Sequence, residues 1–159
     1  MIKHKIRSSA GNSGGAFLGY TLEILRKEPV PEVARAIQRT TQVLGQIRDY
    51  CAVHQVPFVL CSFPRSYQIY QEEFVRRLKQ SSVAPDDFSA NALGERIKLA
   101  CDQLGVHHVG VKARFDQARE AGIELDKLFI QNDGHWNRQG HRLAAEAILP
   151  ELMGVIGKH

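Results

Sequence analysis

Apolar side chains recur at steps of three and four positions through the segment 32–54. Residues at these steps share one face of an α-helix, so the pattern predicts an amphipathic helix. Pro31 precedes the segment and suits its first turn, where a proline removes no helical hydrogen bond. The same spacing predicts long helices over about 91–104, where Gly105 fits the end, and over about 137–152. Shorter helices are predicted at 17–25, 72–79 and 115–121.

Two short segments have the pattern of strands. Residues 58–63 form a continuous run rich in β-formers that ends at Pro64, which is typical of a strand buried on both faces of a parallel sheet. Residues 106–111 form the second strand candidate. The order helix, strand, helix, strand, helix predicts an α/β fold with βαβ crossovers. Two strands are few for such a sheet, so either further strands escape recognition or the sheet is incomplete in this chain.

The length of 159 residues is that of one domain. With 43% hydrophobic and 24% charged residues, the composition is that of a globular protein and excludes a disordered tail, a fibre or a coiled-coil rod. The small polar residues of 8–15 predict a flexible loop, so 1–31 is interpreted as a flexible segment with a short helix and 32–153 as the α/β domain. We expect no membrane span and see no signal peptide, which leaves the compartment open.

The formal net charge is +4, and the excess of positive charge lies in the first half of the chain, whereas the second half is slightly negative. No aromatic interleaving or nucleic-acid motif accompanies them, so a mildly basic surface is expected and no nucleic-acid partner. The three cysteines, Cys51, Cys61 and Cys101, are too few and too widely spaced for a disulfide framework and are interpreted as buried free thiols.

The richest chemistry lies in the segment Asp133-Gly134-His135-Trp136-Asn137, just before the last helix. In an irregular turn, the carboxylate of Asp133 can accept a hydrogen bond from Nδ1–H of His135, two residues away, and so orient the ring. The Nε2 atom is then available as a general base toward a serine hydroxyl. Asn137 is a suitable cap for the helix that follows. Gly140 would let that helix pack closely on a neighbour, and Trp136 would shield the Asp133–His135 pair from water on one side. The alternative is a polar loop in which Asp133 caps a turn and His135 is a surface residue.

A metal site has five candidate ligands: His107, His108, His135, His141 and Asp133. Their spacing fits no helical His pair, and His107 and His108 point to opposite faces if they lie in a strand. We therefore expect no metal, and His141 is interpreted as a helix residue packed near the Asp133–His135 turn.

The Asp133-Gly134-His135-Trp136-Asn137 motif, followed by Gly140-His141, Ala144-Ala145 and Ile148, resembles the last block of the SGNH (GDSL-type) serine hydrolases. The resemblance extends over about 32–152. It implies a three-layer α/β/α sandwich with a parallel sheet, and hydrolysis or transfer of acyl esters of carbohydrates or lipids without a cofactor. Asp133 and His135 would be catalytic. The family's usual Asp lies three residues before the His, where this chain has Asn132, but the alginate-acetylation type resembles the Asp-x-His-Trp form seen here.

The family's nucleophile block, its oxyanion-hole Gly and its Gly-x-Asn-Asp block have no counterpart in this chain. Gly11-Asn12-Ser13 is a poor match to the Gly-Asp-Ser nucleophile block, because no buried strand precedes it and Asn replaces Asp. We therefore interpret the chain as the C-terminal portion of a longer hydrolase, inactive by itself, with the serine outside it.

A second hypothesis is a non-catalytic binding or assembly domain, in which an exposed sheet edge pairs two copies into a homodimer. Arg65, Tyr67 and Tyr70 follow the first strand. They are interpreted either as substrate-binding residues or as a loop packed by its own tyrosines.

Overall fold

The computed structural model describes residues 22–131 and 133–157, which form a mixed α/β structure that is mostly helical. In chain order its elements are α1 (Pro31–Val53), β1 (Val59–Ser62), α2 (Ser66–Ile69), α3 (Gln71–Gln80), a 3₁₀ turn (Pro85–Asp87), α4 (Ala92–Leu104), β2 (His107–Gly110), α5 (Lys112–Glu120), α6 (Leu125–Leu128) and α7 (Arg138–Ile156). Among these helices none is both long and apolar enough to cross a membrane.

The two strands pair in parallel, from Val59 opposite His107 to Ser62 opposite Gly110. Both predicted strands are confirmed, each one residue shorter at both ends, and so is the α/β class. The long helices are also confirmed, with Gly105 in the left-handed conformation at the end of α4. The brief apolar segment around Phe129 forms a single antiparallel bridge to Trp136 and no strand.

Successive residues of β2 contact different helices. His107 places Nε2 3.3 Å from a carboxylate oxygen of Glu151 on α7. His108 faces the other way, where its Nε2 lies 2.9 Å from the hydroxyl of Ser62 and where Lys98 and Asp102 of α4 act on its charge. The predicted opposite orientation of the two histidines is therefore confirmed.

Helix α1 packs against α4. A guanidinium nitrogen of Arg48 donates to the carbonyl of Leu104 at 2.8 Å, and the Leu104 side chain lies against Gly45, where an added Cβ would be 3.5 Å away.

A stripe of apolar residues on α1 stays exposed: Val43, Ile47 and Tyr50. Helix α7 has a stripe with the same spacing: Leu149, Met153 and Ile156. We call these the α1 and α7 stripes.

Many of the buried side chains in the described residues belong to two clusters. The first lies beneath the Asp133–His135 turn and consists of Ile69, Tyr70, Val111, Phe115, Ala118, Leu128, Phe129 and Ala144. The second consists of Leu22, Leu25, Tyr67, Phe74, Leu78 and Phe88. From Leu22 onward the N-terminal segment is thus packed on the domain. The predicted loop 8–15 and Ser13 lie outside the described residues, as does most of the predicted helix 17–25.

The three cysteines are free thiols. Cys101 is buried as predicted, whereas Cys51 and Cys61 are only half-buried.

Candidate functional site

The turn that carries Asp133 and His135 is closed by main-chain hydrogen bonds. The amide of Ile130 donates to the carbonyl of His135 at 2.8 Å, next to the bridge between Phe129 and Trp136. The amide of Asp133 donates back to the carbonyl of Ile130 at 3.2 Å. Gly134 has a φ of 78°, a left-handed conformation that a side chain would strain. The chain therefore reverses tightly enough to bring residues 133 and 135 side by side.

The structure brings the two predicted site residues together. Nδ1 of His135 is hydrogen-bonded to a carboxylate oxygen of Asp133. Because a carboxylate only accepts, Nδ1 carries a proton, and in the neutral imidazole the lone pair then lies on Nε2. The side chains of His135 and Asp133 are 67% and 45% exposed. The ring is thus oriented at the surface of the described structure, with Nε2 available to a group that approaches from outside.

Trp136 connects this turn to the loop after β1. Its indole N–H donates to the carbonyl of Pro64 at 3.2 Å. Its ring stacks on Phe115 with centroids 5.0 Å apart and meets Phe63 edge-on at 5.3 Å. His141 also contacts the indole edge-on, at 5.5 Å, so it packs near the site as predicted. Trp136 therefore fixes the position of the turn relative to the sheet.

The start of α7 holds the other side of the turn. The side-chain oxygen of Asn137 accepts from the amides of Gln139 and Gly140 at 2.9 and 3.1 Å, which confirms the predicted cap. At Gly140 an added Cβ would overlap the carbonyl oxygen of Leu128 and lie 2.9 Å from Cβ of Trp136. The predicted close packing at Gly140 is therefore confirmed.

An open apolar cleft of about 500 Å³ adjoins the imidazole. Its walls come from the loop that directly follows β1, from the turn and from α7: Phe63, Pro64, Arg65, Gly134, His135, Trp136, His141, Ala144, Ala145 and Ile148. The cleft therefore lies at the carboxyl end of a parallel strand, where α/β proteins bind ligands. Its apolar lining suits an acyl chain, and the adjacent His135 could act on the attached carbonyl group.

The three residues predicted to bind substrate or pack the loop, Arg65, Tyr67 and Tyr70, lie in different surroundings. Arg65 lines the cleft. Tyr67 and Tyr70 are buried in the two core clusters, and burial raises the pKa of both phenols. The hydroxyl of Tyr70 donates to the carbonyl of Ile123 at 2.8 Å. The packing interpretation therefore holds for the tyrosines, and substrate contact stays a prediction for Arg65.

No serine hydroxyl within 22–131 and 133–157 is hydrogen-bonded to the ring of His135. The Ser62 hydroxyl pairs with His108 across the sheet, and the Ser66 hydroxyl is buried next to Gly134. A metal cluster is also missing from this part of the chain, where no three His, Cys, Asp or Glu side chains converge.

A second cavity lies on the far side of Gly134 and was not predicted. It is bounded by α2, α3 and the segment around Phe129, and its lining residues include Ser66 and Glu73. No local pattern predicts it, because its walls come from the segments 66–80 and 125–134, which only the tertiary structure brings together.

The site is thus an oriented Asp–His pair at the edge of an apolar cleft in an α/β domain. Comparison of the chain with protein-family models, with curated proteins and with solved structures gave no match.

Proposed function

We propose that this chain is the C-terminal portion of an SGNH-type hydrolase or O-acyltransferase acting on an acyl ester of a carbohydrate or lipid. The observation that supports this most strongly is the hydrogen bond from His135 Nδ1 to Asp133, which leaves Nε2 available at an apolar cleft. In this proposal His135 is the general base, Asp133 orients it, and the serine comes from outside this chain.

The proposed reaction has two stages. Nε2 of His135 takes the proton of the serine hydroxyl while the serine oxygen bonds to the ester carbonyl carbon. The imidazolium then gives this proton to the leaving alkoxide as its C–O bond breaks, which leaves an acyl-serine. In the second stage water, or an acceptor hydroxyl, loses a proton to His135 as its oxygen bonds to the acyl carbon, and the imidazolium returns that proton to the serine oxygen as the acyl–serine bond breaks. Asp133 stabilises the imidazolium in both stages.

Two structural features support the larger architecture that this proposal needs. On one face of the sheet His107 contacts α7, and on the other face His108 points toward α4. Helices therefore flank both faces of the sheet, as in a three-layer sandwich. The α1 and α7 stripes are apolar helix faces that the rest of an SGNH domain would cover.

The test uses p-nitrophenyl esters, because an unprotonated imidazole can attack these activated esters without a serine. Nε2 displaces p-nitrophenolate, and water then hydrolyses the acyl-imidazole. We expect the full chain to hydrolyse p-nitrophenyl butyrate faster than the acetate, since the cleft binds the longer acyl chain. His135→Ala should remove most of this rate, and Asp133→Asn should lower it by about tenfold.

His54→Ala is the matched control, since His54 is an exposed histidine at the end of α1. Equal rates in His135→Ala and His54→Ala would refute the role of His135.

A fluorophosphonate probe, with the labelled peptide located by mass spectrometry, tests whether this chain contains the serine nucleophile. We expect no label that depends on His135; a label on Ser13 that disappears in His135→Ala would overturn the placement of the nucleophile outside the chain.

A second candidate function is assembly without catalysis. The α1 and α7 stripes favour it, since exposed apolar faces of this kind are typical of association surfaces.

A further inference from the structure

The apolar cleft beside the imidazole has a positive charge on its wall. Among the described residues that line it, Arg65 has a permanent charge, and the others are neutral apart from the titratable imidazoles of His135 and His141. The carboxylate of Asp133 does not belong to the lining and is already hydrogen-bonded to His135. The fixed charge of the cleft therefore favours a ligand with negative charge.

The guanidinium of Arg65 is available to such a ligand. The main-chain amide of Arg65 donates to Oε1 of Gln68 at 2.8 Å, but the guanidinium has no hydrogen bond or ion pair within 22–131 and 133–157. Arg77, which lines the neighbouring cavity, is by contrast paired with Glu73 at 2.8 Å. Because Arg65 is exposed, its long side chain is able to turn toward a group bound in the cleft.

The chemistry of the walls restricts the ligand further. A guanidinium presents two parallel N–H donors, which match two oxygens of a carboxylate or of a phosphodiester. Arg65 supplies one positive charge, and each of these groups carries one negative charge. The rest of the ligand has to be apolar, because the other walls are formed by Phe63, Trp136, Ala144, Ala145 and Ile148. Phe63 is still exposed and would be covered by a bound alkyl chain.

We propose that the cleft binds an amphiphile in which a short alkyl or acyl chain adjoins a carboxylate or a phosphodiester, and that Arg65 pairs with this anion. The inference rests on the proposed function for its meaning. The substrate would be an acyl ester that carries a single negative charge, and Arg65 would select it over a neutral ester. The acyl chain would lie against Phe63 and Trp136, next to Nε2 of His135.

The test is a ¹H–¹⁵N NMR titration of the full chain with two pairs of ligands that differ in charge. Hexanoate is compared with hexanamide, and methyl hexyl phosphate with the neutral triester dimethyl hexyl phosphate. We expect at least one anion to shift the amide signals of Arg65, Gly134 and Ala145 saturably, with a Kd about fivefold lower than that of its neutral partner. The anion that binds more tightly identifies the source of the charge as a carboxylate or a phosphodiester.

Two variants test the assignment to Arg65. Arg65→Gln should raise the Kd of the anion to that of its neutral partner, and it should fold because the guanidinium is exposed and has no described partner. Arg39→Gln is the matched control and should leave the Kd unchanged, since Arg39 is an exposed arginine on α1 that does not line the cleft. His135→Ala should keep the preference for the anion, which assigns that preference to the guanidinium and not to the imidazole.

Equal affinity for anion and neutral partner in both pairs would overturn the proposal. So would an unchanged Kd for the anion in Arg65→Gln, or no saturable shift with any of the four ligands at about 20 mM. Saturable binding that leaves the signals of Gly134 and Ala145 unmoved would place the ligand elsewhere and refute the site. The proposed function fails separately, as ester hydrolysis that does not depend on His135 while anion binding still depends on Arg65.

Discussion

The imidazole of His108, on strand β2, is half-buried, and this burial lowers its pKa below the usual value of 6.5. Lys98 and His107 also lower it, and Asp102 opposes them. The folded protein therefore holds His108 neutral at pH values where the unfolded chain already protonates it. Because the unfolded state then binds more protons, stability falls as the pH falls below the unfolded pKa.

We expect the free energy of unfolding in urea to be lower at about pH 5 than at about pH 7.5. His108→Gln should reduce this difference, since glutamine can still hydrogen-bond to Ser62 but does not titrate. The other titrating groups are the same in both proteins and cancel in the comparison. An identical pH dependence in the variant would show that His108 makes no contribution.

The contact between Asp133 and His135 could be predicted from the sequence because it depends on neighbouring residues. A separation of two residues in an irregular turn lets a carboxylate reach the ring, and the turn is made by local bonds and by Gly134 at positive φ. These are properties of adjacent residues and are visible in the sequence. The exposure of the ring and the position of Trp136 against Phe115 depend on distant segments and were not predictable.

At the scale of elements, α7 packs against the end of α6 and against Trp136 through a close approach at Gly140. A methyl group there would overlap the Leu128 carbonyl and press on Trp136, so Gly140→Ala should destabilise the protein by about 1–3 kcal/mol. Gly154→Ala is the control on the same helix, where an added Cβ meets nothing within 4 Å. That variant should keep or increase stability, because alanine favours helix over glycine by about 1 kcal/mol.

Thermal and urea unfolding of the two variants measure this difference directly. If Gly140→Ala were as stable as Gly154→Ala, the contact of α7 with Leu128 and Trp136 would not hold the turn in place.

At the scale of the whole molecule, the α1 and α7 stripes allow a direct test of the assembly function. If the stripes associate, the mass of the full chain in light scattering should rise with concentration over about 10 to 500 μM. Ile47→Lys and Met153→Lys should each return the mass toward that of a monomer, since they place a charge in a stripe. Leu99→Lys, at an exposed leucine outside both stripes, should not. A monomeric mass at every concentration would exclude assembly through these faces.

The amino-acid sequence by itself determined the elements of this protein and the chemistry of its last turn. Helix periodicity, Pro31 before α1, the Asn137 cap and the left-handed Gly105 act between neighbouring residues, so they can be recognised without the fold. The tertiary structure alone decided the burial of Tyr67 and Tyr70, the apolar cleft and the cavity with Ser66 and Glu73. These features join segments that are far apart in the chain, and no local pattern encodes which of those segments will meet.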